Sequence, residues 1–154
     1  MRRLILTMAA FAVVGCVRTH ANEETGEIDV DVESPARAGA EEWNGSLQAQ
    51  TGYAVTGSFK AFVKDGRTEV TVNVANASPG QQLPWHIHEG SCGNDRGIVG
   101  GASSYPPLIV GNNGAATGNA NLSVTLDEAK DYFVNVHASP TNLETIVACG
   151  HLDD

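Results

Sequence analysis

From Trp43 onward the chain alternates apolar and polar residues with a period of two, and no stretch holds a helical repeat for more than two turns. A chain of this kind buries one face of each extended segment and must stack or close its sheet to cover that face. Residues 54–63 and 68–75 are rich in Val, Phe and Thr, and Asp65-Gly66 between them is a strong hairpin-turn signal. Residues 83–89 read as a further strand. Asn113-Gly114 reads as a second hairpin signal, leading into the alternation Ala120, Leu122, Val124, Leu126. Strands over 132–138 and 145–152 follow, and 127–130 suits one helical turn. Seven or eight short strands joined by Gly- and Asn-rich turns, without an internal repeat, point to an all-β sandwich or Greek-key barrel.

The first residues read differently. Arg2 and Arg3 precede a short apolar run over 4–15. That run is too short to span a membrane but suits a signal peptide. It ends in Val13-Val14-Gly15-Cys16, which resembles a bacterial lipobox, in which the cysteine becomes the lipid-bearing first residue. Residues 1–15 are therefore expected to be a leader and Cys16 a lipidation site. The chain has three cysteines. With Cys16 lipidated, Cys92 and Cys149 remain, and an oxidising compartment favours their pairing over two free thiols.

Between leader and domain, residues 16–43 read as an acidic tether. From Glu23 to Glu42 there are eight acidic residues and no aromatic one, too little apolar surface to offset the entropy of ordering. The alternation Glu27-Ile28-Asp29-Val30-Asp31-Val32 imitates a strand, but its polar face is wholly acidic, so tether is the expectation there too. Without the leader the chain keeps seven of its nine basic residues and all eighteen acidic ones, a net charge near −11. Nucleic acid is excluded as a partner by that balance, and so is electrostatic docking on anionic lipid. The expected domain is 44–154, a monomer in the bacterial envelope facing the periplasm or the outside, held by lipid.

Of five histidines, His20 lies in the tether and four lie in the domain. His86 and His88 flank Ile87 on a strand and so share one face, while Trp85 and Ile87 point to the other. Their Cα atoms are about 7 Å apart, near enough for both imidazoles to reach one ion. On 132–137 the same alternation puts Phe133, Asn135 and His137 on one face and Val134 and Val136 on the other. A third imidazole from that strand would complete a three-nitrogen site with open positions, suited to copper, zinc, iron or nickel. His151, two residues past Cys149, is a candidate fourth nitrogen, set against an ordinary surface histidine. Asn135 is either an outer partner of that site or a solvated strand residue.

The order Trp85-His86-Ile87-His88-Glu89-Gly90, Cys92, Val134-Asn135-Val136-His137 and Val147-Ala148-Cys149-Gly150 resembles the copper/zinc superoxide dismutase family over roughly 43–152. The resemblance implies an eight-stranded Greek-key barrel carrying one copper ion on its outer face. His86, His88 and His137 match three family copper ligands, and Cys92 with Cys149 matches the family disulfide.

The departures are equally specific. No histidine occurs between His88 and His137, so the metal-bridging and further zinc histidines are missing. Asp95 is the only acid between Cys92 and Tyr105, and one carboxylate does not make a zinc site, so zinc is expected to be absent. The family's anion-guiding arginine is Ile146 here. Only 11 residues separate His137 from Cys149, too few for a long charged loop. Tyr105-Pro106-Pro107 forms a rigid extended turn, expected over the vacated zinc region or beside copper.

Two functions are thus expected of the same residues. One is slow dismutation of superoxide to dioxygen and peroxide, with no catalytic residue beyond the metal ligands. The other is non-catalytic copper holding, with a copper donor or acceptor as partner. Carbonic anhydrase and the cupins also use His-x-His. The first has a much longer chain that matches nowhere else, and the second expects a carboxylate ligand further along.

Overall fold

The computed structural model describes residues 18–21, 28–31 and 41–153. The leader over 1–15 and the lipidation site Cys16 lie outside the described residues. Two compact units are present, dividing at Ala38 and Gly39. In the first, β1 (Arg18–Ala21) pairs antiparallel with β2 (Ile28–Asp31), placing His20 opposite Asp29. The acidic alternation expected to be tether is therefore strand at Ile28–Asp31.

The second unit is all-β. Its strands are β3 (Glu41–Ala49), β4 (Thr56–Lys64), β5 (Arg67–Ala75), β6 (Gln82–Leu83), β7 (Trp85–Ser91), β8 (Asn94–Ile98), β9 (Leu108–Ile109), β10 (Ala116–Leu122), β11 (Tyr132–Ser139) and β12 (Asn142–Leu152). One 3-10 turn, Ala102–Ser104, lies between β8 and β9. Eight strands form one curled antiparallel sheet in the order β10-β5-β4-β3-β12-β11-β7-β8, and β6 pairs with β9 separately. The order is of Greek-key type: β7 crosses to the far side of the sheet after β5, β10 returns to pair with β5, and β11 goes back to β7. Among the described residues no helix is long and apolar enough to cross a membrane.

Local chemistry accounts for most of these elements. Asp65 and Gly66 both adopt positive φ, 52° and 76°, which a two-residue hairpin turn between β4 and β5 requires. Alternate residues of β5, namely Thr68, Val70, Val72 and Val74, are buried while their neighbours face outward. Pro84, which has no N–H to give a ladder, separates β6 from β7, and its carbonyl accepts the backbone N–H of His137 at 2.8 Å. Trp85, Ile87, Val134 and Val136 enter the core with Phe59, Leu47 and Leu122. The sheet curls far enough to bring β10 against Trp85. A Cβ on Gly118 would sit 2.9 Å from Leu108 and 3.0 Å from the Trp85 indole nitrogen, so this approach needs a residue without a side chain.

Two local expectations are corrected. The alternation starting at Ala120 ends as strand at Leu122, not Leu126; beyond it Val124 offers its carbonyl to the buried Thr68 hydroxyl at 2.8 Å. Asn113-Gly114 is a turn but joins no hairpin, since β9 pairs with β6 and β10 with β5. Between His137 and Cys149 the chain makes the tight β11–β12 hairpin, with only Pro140 and Thr141 outside the two strands.

Candidate metal centre

Strands β7 and β11 differ from the rest of the sheet in being buried on both faces along most of their length. Their inner face is core. Their outer face carries His86, His88, Phe133, Asn135 and His137, all buried. The pairing register sets His86 opposite Asn135 and His88 opposite Phe133. Alternation along β11 keeps His137 on the face of Asn135, and the ladder to β12 shifts register there, with His137 opposite Ile146. His86, His88 and His137 thereby form a group whose ligand nitrogens all lie within 4.8 Å of one another.

Hydrogen bonding assigns the nitrogens. His137 Nδ1–H donates to the Leu143 carbonyl at 2.6 Å, which leaves Nε2 with the lone pair. His86 Nδ1 lies 3.0 Å from that Nε2 and donates to it when no ion takes both lone pairs. Neither ring nitrogen of His88 has a hydrogen-bond partner. Asp95 Oδ1 is 2.9 Å from His88 Nδ1, close enough for a charge contact but out of line for a hydrogen bond. Buried polar atoms without partners are rare in native folds, and a bound cation is one arrangement that satisfies them. Three imidazoles with open positions fit a borderline metal ion.

Burial also sets protonation. His86 is pushed down from 6.5 to about 4, first by desolvation and then by repulsion from His137 and His88. His137 is lowered as well, chiefly by desolvation, with its bond to Leu143 acting the other way. Both are therefore neutral at pH 7, the form that binds metal. Burial raises Asp95, but the Gly97 amide and His88 outweigh it, and its carboxyl lies below the usual range.

Aromatic rings seal the group. Tyr105 sits edge-on to His86 at 5.4 Å and to Trp85 at 5.1 Å, and its hydroxyl donates to the Val99 carbonyl at 2.7 Å. The indole N–H of Trp85 donates to Pro106 at 2.9 Å, so the Tyr105-Pro106-Pro107 segment lies beside the first histidine. Phe133 stacks on His88 at 5.2 Å with 25° between planes. Access comes from the His137 side, through a cavity of about 360 Å³ whose walls include Asp95, Asn135, Glu144, Ile146 and the Cys92–Cys149 disulfide.

Each residue expected from the sequence can now be located. His86, His88 and His137 come together, and Cys92 and Cys149 are joined, their Cα atoms 6.1 Å apart. His151 does not join them. It is exposed on β12 and lines, with Asn44, Ser46 and Lys60, a cavity on the other side of the disulfide that does not include the three histidines. Asn135, expected as a solvated strand residue unless it served the site, is buried in the cavity wall. Glu89 turns away from His88, as expected from alternation, and pairs with Lys130 at 2.8 Å. Alternation places Phe133 on the face of His137 without giving it a role, and Asp95 stands in the sequence only as a lone carboxylate, too few for zinc; the structure sets both against His88. No protein-family model and no curated protein sequence matches this chain.

Proposed function

We propose that the chain is a copper-binding, superoxide dismutase-like protein of the bacterial cell envelope, holding one copper ion through His86, His88 and His137. One observation carries this reading: three buried imidazoles from two adjacent strands converge within 4.8 Å, and the buried Nε2 of His88 has no hydrogen-bond partner. Three imidazoles suit several metals. The preference for copper rests on the family resemblance.

When bound, copper supplies the one-electron exchange that oxidises one superoxide to dioxygen and reduces the next to peroxide. The chain's own residues prepare the site. Burial keeps His86 and His137 neutral, so neither ring has to lose a net positive charge to bind, Leu143 fixes the His137 ring, and Tyr105 and Phe133 pack against His86 and His88. Protons for peroxide come from solvent through the cavity at His137. The approach is poor for an anion, since Asp95 and Glu144 line the cavity and Ile146 stands opposite His137 in the β11–β12 register. Dismutation is accordingly slow.

The same lining favours a second reading, in which the protein holds copper without turnover, receiving it from a donor or passing it on. Metal analysis and electron paramagnetic resonance of protein isolated from its own envelope test the copper claim. A nitrogen-coordinated Cu(II) signal is expected, and stoichiometric zinc without copper would overturn it. Pulse radiolysis of the copper-loaded protein separates the two readings. A rate no faster than that of His137→Ala removes the enzyme and leaves the copper holder. The anchor at Cys16 predicts fatty-acid labelling that Cys16→Ala abolishes.

A further inference from the structure

We infer that Asp95 is a positioning residue of the metal site, whose carboxylate holds the proton of His88 on Nδ1 and so commits Nε2 to the ion. The inference rests on the metal-binding reading above, although it does not depend on which metal is bound.

Asp95 lies on β8, an edge strand whose residues are all exposed. Its Oδ1 nevertheless sits 2.9 Å from the Nδ1 of His88, whose side chain is only 4% exposed. Three features hold it there. The Gly97 backbone N–H donates to the same Oδ1 at 2.7 Å. The β7–β8 ladder shifts register between His88 and Gly90, which brings Asp95 opposite Gly90. The turn just before it carries Cys92, bonded to Cys149 on the neighbouring face of the sheet.

The chemistry follows from donor and acceptor inventory. A neutral imidazole has one N–H and one lone pair, whereas an ionised carboxylate only accepts. A carboxylate at 2.9 Å attracts Nδ1–H and repels a lone pair there, even where the approach is out of line for a hydrogen bond. Nε2 is then the basic nitrogen. Phe133 fixes the ring plane by stacking at 5.2 Å, so plane and tautomer are set by two different neighbours. A carboxylate behind a metal-binding histidine orients the ring and raises its basicity, and losing such a partner typically weakens metal binding by about 10- to 100-fold.

The test uses the full chain. Nitrogen-15 NMR of the metal-free protein at neutral pH reads the His88 tautomer directly: Nδ1–H is expected in the wild type and Nε2–H in Asp95→Ala. Competition titration should show copper affinity about 10- to 100-fold weaker in Asp95→Ala, partly restored in Asp95→Glu. Because Asp95 is half exposed, the unfolding midpoint of the metal-free variant should match the wild type. Nε2–H in a wild type that takes up copper normally would overturn the role of Asp95 and leave the site standing. Nδ1–H in a wild type that takes up no metal would instead overturn the metal reading and keep the contact. Loss of an oxygen ligand from the resonance spectrum of Asp95→Asn would make Asp95 a ligand and overturn the positioning role.

Discussion

His86 Nδ1 lies 3.0 Å from His137 Nε2, although 51 residues separate the two in sequence. The contact exists because β7 and β11 are neighbours and because alternation puts both imidazoles on their outer face. Two lone-pair nitrogens at that distance are held together either by one shared proton or by one cation.

Removing His137 should end tight metal binding. His137→Ala is expected to lower copper affinity by more than the roughly 100-fold upper range seen for outer partners of metal ligands. It also deletes the bond to Leu143, a loss of about 1 kcal/mol in the metal-free protein. Competition titration and urea unfolding read the two effects separately, and wild-type affinity in the variant would remove His137 from the site.

The metal-free protein should weaken in mild acid. Above pH 6.5 His86 is neutral in both the folded and unfolded chain and contributes nothing to the dependence. Between 6.5 and about 4 the unfolded chain takes a proton that the folded one refuses, so stability falls as pH falls. Below that window both states are protonated and this loss stops growing. Carboxylates add their own losses, so the measurement is the difference in urea midpoint between wild type and His86→Gln across the window. A difference that does not change with pH would contradict the burial of His86.

The disulfide should matter to stability and to the site together. Cys92 and Cys149 are 57 residues apart, and closing a loop of that length contributes about 4 kcal/mol in the chain-entropy treatment. Cys92→Ser with Cys149→Ser should show that loss in urea unfolding. Copper affinity should fall as well, because the bond anchors the turn that delivers Asp95. Unchanged affinity would mean the β8 hairpin holds Asp95 without it.

Charge at the cavity should oppose superoxide. With Asp95 and Glu144 in the wall, any dismutation rate should rise, not fall, as salt screens the repulsion. Ile146→Arg should increase the low-salt rate by up to roughly 10-fold, the lower end of what steering contributes in a charged cleft. Pulse radiolysis at low and physiological ionic strength decides this, and a rate that falls with salt in the wild type would show that the mouth attracts anions.

Much of this protein follows from its sequence alone, because the relevant physics is local. Strand alternation puts His86 and His88 on one face and Trp85 and Ile87 on the other without reference to any distant residue. The dihedral needs of Asp65-Gly66 likewise act over two residues. What only the tertiary structure decided depends on which strands become neighbours. Pairing of β7 with β11 gathers the imidazoles, and packing over their outer face, by Tyr105 among others, buries them and keeps His86 and His137 neutral. Asp95 comes to His88 because the hairpin shifts register, and Phe133 because the pairing of β11 with β7 sets it opposite His88. His151 lies two residues past Cys149 on the same strand yet lines a cavity that none of the three histidines reaches. Spacing along a strand determines which side a residue faces; only the order and curvature of the sheet determine what it meets there.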